Sequence, residues 1–225
     1  LEQGKAMAAL ADFENVDRLD PGAFATAPLR AESLMLLGKL PQALRTLDHY
    51  LEQNPAASRC LVLRARTFTS LGDPAAAAWD YQKALALTPR PEPDLILESA
   101  TALANDKRPA EALEILDQGI ARLGPLASLE LPALELDLKN NRWDAALQRV
   151  ETLRAAAPRP EPWMARRASI LARAGRIGES RLAWQSLLDH LSNLPPAERG
   201  SHAMSSSARE ARAALASLTS NATSP

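Results

Sequence analysis

Apolar and polar residues follow a helical period along almost the whole chain, in blocks that end at glycine or proline. Within 40–53 the apolar positions Ala43, Leu44, Leu47 and Leu51 fall on one face, and within 58–71 Leu61, Ala65 and Phe68 do the same. The blocks also repeat. Gly38 returns as Gly72, Ala43 as Ala77, Leu51 as Leu85 and Pro55 as Pro89, each pair 34 residues apart. Self-similarity at that period marks stacked helix–turn–helix units.

Extending the register predicts an all-α solenoid over 1–194. It comprises a half-repeat at 2–21 and five repeats at 24–57, 58–91, 92–126, 127–160 and 161–194. Gly4, Ala9 and Pro21 fit the register of the half-repeat, and Ala6, Ala9, Leu10, Phe13 and Val16 form its apolar face. In the first full repeat, helices are expected at 24–37 and 40–53, separated by Gly38 and with Pro41 in the first turn of the second. The third repeat carries one extra residue, because Ala77 returns as Ala112; the turn Asn105–Pro109 is its expected place. Pro132 is expected to kink the helix that contains it. Ser180 stands where the other repeats hold alanine. Beyond Pro195-Pro196, Met204, Ala208, Ala211, Leu215 and Leu218 make a single stripe, predicting a capping helix within 195–219 and a frayed tail at 220–225.

Composition narrows the function classes. Apolar residues are 46% and charged residues 24% of the chain, which predicts folding rather than disorder. The net charge of −1 gives no electrostatic footprint for nucleic acid. No apolar run approaches the ~20 residues that span a bilayer. Cys60, the single cysteine, reads as a small core residue. No metalloprotease, nucleophile-elbow or phosphate-loop motif occurs, and His49, His190 and His202 have no partner at ligand spacing. Glu111 and Glu114 are the nearest thing to a carboxylate pair and read, like Asp12 and Glu14, as solubility charges. No enzyme, metal or cofactor is expected.

The turn glycine, the tight-packing alanine, the bulky residue four positions on and the closing proline together resemble the tetratricopeptide repeat. The units that carry the resemblance best hold Gly72, Ala77, Tyr81, Ala84 and Pro89, and Gly38, Ala43, Leu47 and Pro55. Sel1-type and pentatricopeptide repeats are neighbouring readings. The tryptophan usual at the fourth position is replaced by Ala27, Leu61, Leu95, Glu130 and Met164, and the leucine at the seventh by Arg30, Arg64, Glu98, Ala133 and Arg167. The resemblance implies a right-handed α-α superhelix whose first helices line a concave groove that binds proteins or peptides. The groove would then hold Arg59, Val62, Leu63, Arg66, Ile96, Ala100, Leu103, Leu131, Glu135, Leu138, Lys139 and Ser169, with Arg166 and Arg173 at its edge. The family's chaperone-binding clamp is absent, its places being taken by Pro28, Glu32, Val62 and Arg66.

Arg59/Arg66 and Arg166/Arg173 are each seven residues apart and share a helix face. Guanidinium forks read carboxylates, so a partner with acidic or C-terminal carboxylate groups is one expectation. The other is internal pairing, Arg66 with Glu32 and Arg64 with Glu98. The leading functional expectation is a non-enzymatic binding scaffold. The alternatives are an assembly element that oligomerises through the N-terminal half-repeat, and an accessory region of an enzyme lying upstream. Abundant Ala, Arg and Pro with few Lys suggests a bacterial source. The non-methionine start favours a periplasmic or exported setting, with the cytoplasm next.

Overall fold

The computed structural model describes residues 2–19, 26–199 and 201–220. Pro21, the expected helix start at 24 and the tail 221–225 lie outside them. Every regular element among the described residues is a helix, and the chain divides into two compact units, Leu1–Leu123 and Gly124–Pro225. The first holds α1 (Glu2–Leu19), α2 (Ala27–Leu36), α3 (Leu40–Gln53), α4 (Ser58–Leu71), α5 (Pro74–Ala86), α6 (Pro93–Asn105) and α7 (Pro109–Leu123). The second holds α8 (Ala127–Lys139), α9 (Trp143–Ala156), α10 (Glu161–Arg173), α11 (Ile177–Asn193), the short α12 (Pro196–Arg199) and α13 (His202–Ser220). Within each unit, successive helices pack on one another as pairs. α8 runs through Pro132 as one helix.

The turn inside each pair is built the same way five times. Its central residue is left-handed: Gly38 (φ 70°), Gly72 (78°), Lys107 (61°), Asn141 (56°) and Gly175 (75°). The following amide reaches back to close a Schellman motif, from Lys39 to Leu34 O (2.8 Å), Asp73 to Phe68 O (3.0 Å), Arg108 to Leu103 O (2.9 Å), Arg142 to Asp137 O (2.9 Å) and Arg176 to Leu171 O (2.9 Å). Backbone conformation therefore carries the register even where glycine is missing.

Two columns of small residues let the helices of a pair approach closely. Ala43, Ala77, Ala112, Ala146 and Ser180 on the second helices are all fully buried, and Ala31, Ala65, Ala100 and Ala168 on the first are at most 3% exposed. Ser180 is accommodated because its hydroxyl donates to the Ala168 carbonyl at 2.8 Å. Larger side chains, among them Leu47, Leu61, Leu116, Val150 and Leu187, complete the buried layer between these columns. Cys60 lies in that layer, where burial pushes its thiol pKa up. At the end of the second unit, Met204, Ala211 and Leu218 of α13 cover Trp184, Leu187 and Leu191 of α11.

The extra residue of the third repeat is not in the turn Asn105–Pro109. The first helices α4 and α6 already start 35 residues apart, at Ser58 and Pro93, and the left-handed residues Gly72 and Lys107 keep that spacing. The insertion therefore sits in 87–92, the loop before α6, which has six residues where 54–57 has four. A loop between repeats lengthens without breaking the Schellman hydrogen bonds, whereas the turn within a pair cannot. The third-repeat equivalents of Leu61 and Arg64 are consequently Ile96 and Ser99, not Leu95 and Glu98.

Candidate functional site

The one-residue shift has a direct consequence for the surface of α6. A step of one residue turns a side chain ~100° about the helix axis. Ile96, Ala100 and Leu103, expected in the groove, are buried at 2%, 3% and 0% exposure. Their neighbours Leu97, Thr101 and Ala104 occupy the positions equivalent to Val62, Arg66 and Thr69 and retain solvent access. Leu63 and Leu138 are also core residues; Leu138 packs with Leu134, Val150 and Leu153. Of the remaining predicted residues, Arg59, Arg66, Leu131, Lys139, Arg166 and Arg173 are exposed and Val62 is half-buried.

The exposed arginines do not stand free. Arg59 donates to Glu32 of α2 at 2.8 Å, and Arg66 grips Glu98 of α6 with two bonds of 2.9 and 3.0 Å. In the second unit Arg166 of α10 pairs with Glu135 of α8, and Arg173 stacks over the Trp143 ring at 5.4 Å. Each ion pair ties one first helix to the next. The expected pairs Arg66–Glu32 and Arg64–Glu98 do not form. Arg64 turns inward instead, gripping Asp80 at 2.7 and 2.8 Å and Asp48 at 2.8 Å. Positions equivalent in sequence are not the ones that face each other on neighbouring helices.

Between the C-terminal halves of α4 and α6 lies a notch of about 480 Å³. Leu97 and Ala102 give it an apolar wall; Thr69, Tyr81, Glu98, Thr101 and Asn105 supply polar atoms. The Thr69 and Thr101 hydroxyls spend their protons on the carbonyls of Ala65 and Leu97, so their oxygens face the notch as acceptors. Burial, with the Glu98 carboxylate beside it, pushes the Tyr81 phenol well above its ordinary pKa, so it stays protonated. The notch thus combines a mainly apolar surface with the Thr69 and Thr101 oxygens, which can receive N–H donors. Of its lining, Gly72, Tyr81, Glu98 and Asn105 were singled out in the sequence, none of them as a groove residue. The signal for Leu97 and Thr101 was present, but reading it required the correct place of the inserted residue.

Among the described residues no group of three or more His, Cys, Asp or Glu side chains could hold a metal ion. Among them, too, no helix is long and apolar enough to cross a membrane.

No protein-family model matches the chain, and no curated protein matches it in sequence. Solved structures do. One is YrrB, described as a TPR protein with an unusual peptide-binding site, at 16% identity and a TM-score of 0.63 over 79% of this chain and 91% of that one. A tetratricopeptide repeat protein from Parabacteroides merdae gives 16% identity and a TM-score of 0.61, covering 96% of this chain and 87% of its own. MamA gives 15% identity and a TM-score of 0.61 over 74% and 90% of the two chains. At such identities the likeness is one of architecture: the chain has the all-α fold of the tetratricopeptide repeat proteins.

Proposed function

We propose that this chain is a non-enzymatic scaffold that binds a short extended peptide segment on the first-helix face of α4 and α6. The observation that carries the reading is the notch between them, mainly apolar and with the Thr69 and Thr101 oxygens as acceptors. An extended peptide presents an apolar side chain and backbone N–H groups from one short stretch, and the notch complements both. The YrrB likeness supports the class of ligand, since that protein shares the fold and is described as having a peptide-binding site. Because Glu32 and Glu98 already neutralise Arg59 and Arg66, the segment bound here is selected by shape and N–H donation more than by carboxylate groups.

The test is a displayed peptide library panned on the full chain and counter-selected on a Thr101→Arg variant, whose side chain fills the notch. Peptides that bind the parent and not the variant are the expected result. A library that yields no binder, or binders indifferent to Thr101→Arg and to Leu97→Asp, overturns the assignment.

A further inference from the structure

Arg59, Arg66 and Arg166 are spent on internal carboxylates, but a group of three other arginines is not. Where α13 lies against the C-terminal half of α11, a cavity of about 560 Å³ opens in the second unit. Arg199 of α12 and Arg209 and Arg212 of α13 all line it, against one carboxylate, Asp189. Asp189 is itself engaged, accepting from the Gln185 amide at 3.0 Å. Arg199 makes one contact, to the Ser192 carbonyl at 3.3 Å. Among the described residues, no acidic side chain pairs with Arg199, Arg209 or Arg212.

We infer that this cavity is a second binding site, for an acidic peptide segment that sets an apolar side chain between two carboxylates. Three guanidinium groups against one carboxylate leave the wall two positive charges in excess, which two carboxylates of a ligand would balance. Arg209 and Arg212 are three residues apart and share one face of α13, so their forks can take neighbouring acidic side chains. The floor is apolar. Leu188, Met204 and Ala208 meet there, which suits a side chain such as leucine and offers nothing to a bare inorganic anion. At Arg59, Arg66 and Arg166 the counter-charge is built in, and here it is left for a ligand to supply. The site lies on α13 in the second unit, and the reading of it does not depend on the notch of the first.

The full chain, isotopically labelled, is titrated with the blocked peptide Ac-Glu-Leu-Glu-NH2 and separately with its uncharged counterpart Ac-Gln-Leu-Gln-NH2, followed by amide NMR. Saturable shifts confined to α11, α12 and α13, seen with the acidic peptide only, are expected. The double variant Arg209→Glu/Arg212→Glu, with helicity checked by circular dichroism, should weaken binding about tenfold or more. If that variant loses helicity, Arg209→Gln/Arg212→Gln carries the same comparison. No response up to about 10 mM peptide, equal response to both peptides, unchanged affinity in the folded variant, or shifts centred on α4 and α6 would each overturn the inference. So would inorganic phosphate reproducing the same shifts at equal concentration, which would make this a simple anion site.

Discussion

Arg149 stands on α9 where Asp80 stands on α5, at the seventh residue of its helix, with the opposite charge. In the first unit, Arg64 of the first helix grips the buried Asp80. In the second, the first helix supplies the acids, and Arg149 donates to Asp137 at 2.7 Å and Glu130 at 3.0 Å. The same inversion occurs on the exposed face. Arg66 of α4 binds Glu98 of α6, while Glu135 of α8 accepts from Arg166 of α10, the corresponding positions with charges exchanged.

Removing Arg149 should be among the costliest single changes in the second unit. Asp137 is 0% and Glu130 4% exposed, so Arg149→Met strands two carboxylates without their main counter-ion. A loss of about 3–5 kcal/mol is expected, read from urea unfolding. The triple change Glu130→Leu/Asp137→Leu/Arg149→Leu should recover most of it. A mild loss in the single variant would show that the carboxylates are already solvated.

The left-handed turn positions make a paired prediction of opposite sign. At Gly72 a Cβ would meet nothing within 4 Å, so Gly72→Ala costs only the backbone conformation; about 1 kcal/mol is expected. Lys107 already bears that cost at φ 61°, so Lys107→Gly should stabilise by about 0.5–1 kcal/mol. Chemical denaturation of the two variants beside the parent measures both.

The small-residue columns should tolerate loss of a hydroxyl better than gain of volume. Ser180→Ala removes one buried donor and leaves the alanine found in the other four repeats, so at most about 1 kcal/mol is expected. Ala77→Leu has nowhere to put its added carbons and should cost about 1–3 kcal/mol or more. Thermal unfolding followed by circular dichroism would separate the two.

Glu111 and Glu179 give a pH signature. Arg108 holds the Glu111 carboxyl below its ordinary pKa by hydrogen bonding and charge, and Arg176 does the same for Glu179. A carboxylate with a lowered folded pKa contributes stability that is fully present above its unfolded pKa and is lost as pH falls through the folded one. Carboxyl NMR titration should show both groups titrating at low pH. Arg108→Ala should move Glu111 upward and leave Glu179 in place.

Much of this was legible because packing landmarks are local. Ala43, Ala77, Ala112 and Ala146 must be small whatever lies on the surface, and Gly38, Gly72 and Gly175 are the residues for which a left-handed turn costs least. The place of the inserted residue was not legible. Ala112 shows only that 35 residues have accumulated since Ala77, and Lys107 carries no mark of its left-handed conformation. Pro93 was the available cue, since proline also opens the first turns of α3, α5 and α7. The partners of the arginines were hidden for another reason. An arginine side chain reaches diagonally across a helix–helix seam, so its counter-charge is set by facing geometry rather than by sequence offset. For the same reason, nothing in the sequence says which of the α13 arginines lack an acidic partner.

The exchanged charges on the exposed face also bear on how such a chain avoids assembling itself wrongly. Repeats that look alike can dock out of order as the chain folds. If α4 met α10 in place of α6, Arg66 would confront Arg166; if α8 met α6, Glu135 would confront Glu98. Both of these misplacements bring like charges together, so the polarity works as a key against them. Exchanging one pair, Arg66→Glu with Glu98→Arg, keeps the native contact but blunts that key, and the yield of refolded monomer is where its loss would register.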